Sequence, residues 1–74
     1  MSRPLKRSVR IAGHRTSLSV EPQFWEALAA IARRRKASLA TIIAEIDGRR
    51  GDTNLSSAVR LYILAEIQNR GGDL

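Results

Sequence analysis

The run Arg15-Thr16-Ser17-Leu18-Ser19-Val20, followed at once by Glu21-Pro22, constrains the fold more than any other part of this chain. A strand sends successive side chains to opposite faces. The alternation therefore reads as a strand with Thr16, Leu18 and Val20 on an apolar face and Arg15, Ser17 and Ser19 on a polar one. Proline is favoured at the first helical position, so the strand passes into a helix almost without a loop. The polar face carries an arginine and two hydroxyls and no acid. Such groups hydrogen-bond to phosphates and to base edges in a DNA groove.

A chain of 74 residues holds one domain. Domains this short are commonly secured by a disulfide, a metal or a partner subunit. There is no cysteine, and His14 is the sole histidine, so neither a disulfide nor a structural zinc site is expected. Self-association is the remaining means, and a hydrophobic fraction of 43% suits it. Val20, Phe24, Leu28, Ile42, Ile43 and Ile46 offer more apolar surface than one short chain is expected to cover, which predicts an obligate homodimer.

The formal charge of +6 is unevenly spread. Arg3, Lys6, Arg7, Arg10 and Arg15 lie in the first twenty residues with no acid among them, and Arg33-Arg34-Arg35-Lys36 forms a second cluster. Basic patches attract nucleic acid or anionic membrane, whereas a solvated, solubilising surface is the plainer account of the second cluster. No apolar run approaches the ~18 residues of a membrane span, and no apolar segment follows Lys6-Arg7 as in a signal peptide. A cytoplasmic protein without membrane contact is the expectation.

Three segments follow from the patterning: a basic arm over 1–14, a strand-helix-helix core over 15–50 and a helical extension over 51–74. Within the arm, Val9 and Ile11 alternate with polar residues before Gly13-His14. That pattern fits a hairpin turning at Gly13-His14 through a type II′ turn, and equally an extended arm. The first helix starts at Pro22, with Glu21 as cap and Val20 and Trp25 as a hydrophobic staple. Phe24, Leu28, Ile31 and Ala32 mark its buried stripe, Trp25 is read as core, and Arg33 to Lys36 close it. Ser38 caps a second helix, in which Leu39, Ile42, Ile43 and Ile46 recur at i, i+3, i+4 and i+7; it ends between Gly48 and Gly51. Asn54 caps a third helix from Leu55 to about Asn69. Its stripe is Ala58, Val59, Tyr62, Ile63 and Ile67. Leu61 and Leu64 widen the apolar surface beyond one face, which predicts a subunit contact.

No catalytic constellation is present. His14 has no carboxylate to orient it, the serines lack a base, and Glu45 and Asp47 face different ways on a helix. The chain is not expected to be an enzyme or to need a cofactor or metal. The start of the second helix is a different matter. Free N–H groups and the positive dipole end at Ser38-Leu39-Ala40, just after Arg35-Lys36, are suited to holding a phosphate. An ordinary serine cap is the plainer alternative.

The order of polar/apolar strand, proline-started helix, basic turn and serine-capped isoleucine-rich helix resembles the ribbon-helix-helix superfamily of the Arc/MetJ/CopG type. The resemblance covers about Arg15 to Ile46. The string from His14 to Leu28 is similar to short bacterial members that carry an extra C-terminal segment, matched here by Asn54 to Asn69. It implies a mainly helical fold with one short N-terminal strand, in which two chains intertwine and pair their strands into a two-stranded antiparallel ribbon that enters the major groove. Arg15, Ser17 and Ser19 would then read bases, and Leu18 and Val20 would join the shared dimer core with Phe24, Leu28, Ile42, Ile43 and Ile46. Ser38 and the N–H groups of Leu39 and Ala40 would clamp a phosphate, with Arg10 and Lys36 as further phosphate contacts. Many members have glycine at the exit of the first helix, where this chain has Lys36. Glycine alone adopts a left-handed backbone freely, so such a conformation would cost Lys36 about 1 kcal/mol.

The function expected is sequence-specific binding of double-stranded DNA by a homodimer, with tetramers as a further option, in transcriptional regulation. The alternatives are an antitoxin that meets a toxin through its C-terminal helix, and a protein-interaction module without DNA binding.

Overall fold

A computed structural model describes residues 3–70. The described residues form β1 (Leu5–Ile11), β2 (His14–Val20), α1 (Pro22–Arg35), α2 (Leu39–Arg49) and α3 (Leu55–Arg70). The fold is mainly helical and begins with a two-stranded antiparallel sheet.

The two strands form a hairpin within one chain. β1 and β2 pair antiparallel from Leu5↔Val20 to Ile11↔His14, which decides between the hairpin and the extended arm. The single strand expected is thus joined by a second, and residues 5–11 of the basic arm belong to it. The turn is Ala12-Gly13, one residue earlier than Gly13-His14. Both central residues have positive φ, 51° and 83°, so it is a type I′ turn and not type II′. A type I′ turn matches the right-handed twist of the strands it joins, and Ala12 accepts a left-handed backbone to provide it.

The turn also fixes which backbone groups face outward. Ile11↔His14 flanks a two-residue loop and is a hydrogen-bonded pair, and the two pair types alternate from there. His14, Thr16, Leu18 and Val20 therefore bond to β1. The N–H and C=O groups of Arg15, Ser17 and Ser19 point to the far edge of β2.

Local signals start each helix as expected. Val20 and Trp25 flank Pro22 as a staple, and both are buried. The Glu21 carbonyl accepts from the Phe24 and Trp25 N–H groups, while its carboxylate takes a hydrogen bond from Arg60 Nε at 3.1 Å. Its own backbone N–H, and then Arg60, hold that carboxyl below its usual pKa against the opposing effect of burial. The Ser38 hydroxyl accepts from the Thr41 N–H at 3.0 Å, and Asn54 Oδ1 from the Ser57 N–H at 3.2 Å. These are the two caps expected from the sequence.

Lys36 ends α1 in the left-handed region, with φ 54° and ψ 43°. The Lys36 N–H meets the Arg33 carbonyl and the Ala37 N–H meets the Ala32 carbonyl, the paired bonds of a Schellman motif. The backbone thus takes the glycine-type exit without the glycine. Lys36→Gly is expected to raise stability by about 1 kcal/mol, seen as a higher denaturant midpoint at unchanged slope.

The core lies between the hairpin and the three helices. Leu18, Val20, Leu28, Ile42, Ile43, Val59 and Ile63 are its fully buried members, with Ile11, Trp25, Ile31, Ala32, Ile46 and Ala58 around them. Six of the seven residues assigned to a shared dimer core are therefore enclosed by one chain, and Phe24 is half-buried beneath the Arg60 guanidinium. The premise that a single chain leaves this surface bare does not hold. Two elements remove it: β1, which contributes Ile11 and Val9, and α3, which contributes Ala58, Val59 and Ile63. Ile67, expected on the buried stripe of α3, is instead exposed beside Leu61 and Leu64.

Arg35 ties the helices together. It makes two bonds to the Glu45 carboxylate, at 3.1 and 3.3 Å, and one to the Tyr62 hydroxyl at 2.9 Å. No described helix is long and apolar enough to cross a membrane.

Candidate nucleic-acid interface

Residues directly opposite in an antiparallel pair project from the same face. Lys6↔Ser19, Ser8↔Ser17 and Arg10↔Arg15 are such pairs, so these six side chains share one surface of the hairpin. The other surface carries Val9, Ile11, Thr16, Leu18 and Val20 and packs on the helices. Arg15, Ser17 and Ser19 thus lie together, as the alternation of the sequence implied. Lys6 and Ser8 lie on the same surface and were not singled out from the sequence. Their own alternation, Lys6-Arg7-Ser8-Val9-Arg10-Ile11, carries the signal once the turn is known.

The polar face contains three cations, three hydroxyls and no acid. Five of the six residues are exposed and Ser19 is half-buried. None of Lys6, Arg10 and Arg15 has a carboxylate partner among the described residues. On the helical side the contrast is plain. Arg34 pairs with Glu66, Arg35 with Glu45, Arg50 with Asp47 and Arg60 with Glu21. Half of the Arg33–Lys36 cluster therefore serves helix packing. Arg10 and Arg15 stand opposite each other with like charge, an arrangement that destabilises a bare hairpin and favours a bound anion.

Arg7 points to the other side. Its guanidinium lies over the Trp25 ring, 5.0 Å from the centroid, and the Trp25 Nε1–H donates to the Leu5 carbonyl at 3.2 Å. These contacts fasten β1 to α1.

The start of α2 has a separate location. The Ser38 hydroxyl is engaged with the Thr41 N–H and lies 2.9 Å from the Thr41 hydroxyl. The N–H groups of Leu39 and Ala40 bond to no described residue, and Lys36 and Ala40 are exposed. It is the opposite end of α2 that adjoins the hairpin: Asp47 and Arg50 line one cleft with Ile11, His14 and Arg15. About 13 Å of helix separates the two ends.

The family model described as "Ribbon-helix-helix domain" matches residues 4–67, well over half of the chain. The protein belongs to the ribbon-helix-helix family. That family consists of regulatory DNA-binding modules and not of enzymes. No curated protein and no solved structure is significantly similar to the chain.

Proposed function

We propose that this protein is a sequence-specific DNA-binding regulator whose hairpin enters the major groove with its polar face toward the bases. The observation that carries this reading is a ribbon face with three cations that have no carboxylate partner among the described residues, two of them directly opposed, whereas Arg34, Arg35, Arg50 and Arg60 on the helical side are each paired with a carboxylate. A two-stranded β-ribbon fits the major groove. Arg15 donates to a base edge, while Ser17 and Ser19, being short, reach bases through water. Arg10, Lys36 and the Ser38-Leu39-Ala40 helix end supply phosphate contacts that add affinity without sequence preference. Two copies of the chain occupy a palindromic site.

The exposed ridge of Leu61, Leu64 and Ile67 on α3 supports a protein contact beyond DNA, either the second copy or the toxin of an antitoxin pair. Selection of bound sequences from random duplex DNA tests the main reading. A defined motif with two related half-sites is the expected result. Recovery of unenriched sequence at low salt, or no binding at all, would set it aside.

A further inference from the structure

We infer that the outward face of α3 is a docking surface for an acidic amphipathic helix of a second protein. The apolar side of that helix lies on Leu61, Leu64 and Ile67, and its carboxylates meet Arg49 and Arg70. This rests on the reading of the ridge as a protein contact, commits it to one partner chemistry, and does not depend on DNA binding.

The helix α3 is apolar on two opposite sides. Ala58, Val59 and Ile63 face the core. Leu61, Leu64 and Ile67 follow one another at a spacing of three and form a second stripe on the other side. Their exposures of 59%, 49% and 51% show that no described residue covers it. Single exposed leucines are ordinary on a protein surface, whereas a contiguous apolar stripe marks a contact.

Each end of the stripe opens into a shallow cleft. Leu61 borders one of about 290 Å³, together with Ile46 and Tyr62, and Arg49 stands at its edge. Ile67 borders another of about 160 Å³, together with Ala27 and Ile31, and Arg70 stands at its edge. Arg50 and Arg34 also line these clefts, but they are paired with Asp47 and Glu66. Arg49 and Arg70 are exposed and have no carboxylate partner among the described residues. An apolar stripe with one unmatched cation at each end complements apolar side chains set between two acids.

Size and charge select the occupant. Leu61 to Ile67 spans about 9 Å of helix, and apolar residues at i, i+3 or i+4, and i+7 of a partner helix span about 10.5 Å. Three half-exposed side chains fall short of the about 800 Å² that each folded partner gives to a standard interface, so a single helix fits better than a globular face. A second copy would bring the same two arginines, and Glu66, the one carboxylate lining these clefts, is already bound to Arg34. The formal charge of +6 likewise favours an acidic partner over another copy.

The test uses the full chain and a fluorescent synthetic peptide helix with leucine at i, i+3, i+4 and i+7 and glutamate at both ends. A second peptide carries glutamine in place of every glutamate. Anisotropy titration is expected to show binding of the acidic peptide and at least tenfold weaker binding of the neutral one. Leu64→Ser should weaken the acidic peptide about tenfold, and Arg49→Glu/Arg70→Glu should do the same. Arg3→Glu, a change of charge outside both clefts, should leave binding unchanged. Circular dichroism checks that each variant is folded. No binding of the acidic peptide, equal binding of both peptides, or binding unaffected by the Leu64 and the paired arginine variants would overturn the proposal. Sedimentation of the wild type adds a further outcome. Self-association that is lost in Leu64→Ser, with no peptide binding, would give the ridge to a second copy; it would overturn the acidic partner and leave the ridge a protein contact.

Discussion

Ile43→Asp is expected to leave the chain unfolded at neutral pH. Ile43 is fully buried, and no polar or charged residue among those described is buried with it. The carboxylate would have no partner. Burying an unpaired charge costs several kcal/mol even after local relaxation, and lost apolar packing adds about 2–5 kcal/mol. A domain of this size is stabilised by roughly 5–10 kcal/mol in total. Circular dichroism should show loss of the helical signal. Ile43→Val, by contrast, should fold and lose about 0.5–1.5 kcal/mol. Leu64→Ser should fold with little change, because Leu64 is 49% exposed. A folded Ile43→Asp protein would mean that this stripe is not the core.

Arg15→Ala is expected to reduce discrimination between selected and random duplex while leaving the fold intact. A good bidentate arginine–base contact is worth about 1–3 kcal/mol, or about 5- to 150-fold in the specificity ratio. The substitution leaves the core untouched and removes a like charge from opposite Arg10, so stability should hold or rise slightly. Binding and stability then move in different directions, which separates lost recognition from lost folding. Lys36→Ala should weaken selected and random binding about equally and lower the salt slope by about one for each contact removed. Competition binding with both duplexes, alongside thermal unfolding, checks each variant. If Arg15→Ala lowers both affinities equally, Arg15 is a phosphate contact and the base readers lie elsewhere on the face.

Most of the secondary structure was legible because local chemistry fixes it. Pro22, Ser38 and Asn54 mark helix starts through capping rules that act within a few residues, and the alternation of Arg15–Val20 gives both faces of β2. The first strand was harder. Leu5–Ile11 contains as many cations as apolar residues, three of each, and only pairing with β2 makes it a strand. Its turn was misplaced because Ala12, an unfavourable residue for positive φ, occupies a position usually held by asparagine or glycine. The shared core was inferred from apolar residues without a known cover, and tertiary packing supplied that cover through Ile11 of β1 and Val59 and Ile63 of α3. Lys6 and Ser8 joined the polar face for the same reason: cross-strand register is non-local, and periodicity in one strand does not reveal it.

The proposed function requires the polar face of the hairpin to meet DNA. The most direct measurement is a titration of isotope-labelled protein with a short duplex, following each backbone amide by nuclear magnetic resonance. The largest shifts are expected at Lys6, Ser8, Arg10, Arg15, Ser17 and Ser19, with smaller ones at Leu39 and Ala40. Shifts confined to Arg33–Arg35 or to Leu61–Ile67, with the hairpin amides unmoved, would contradict it.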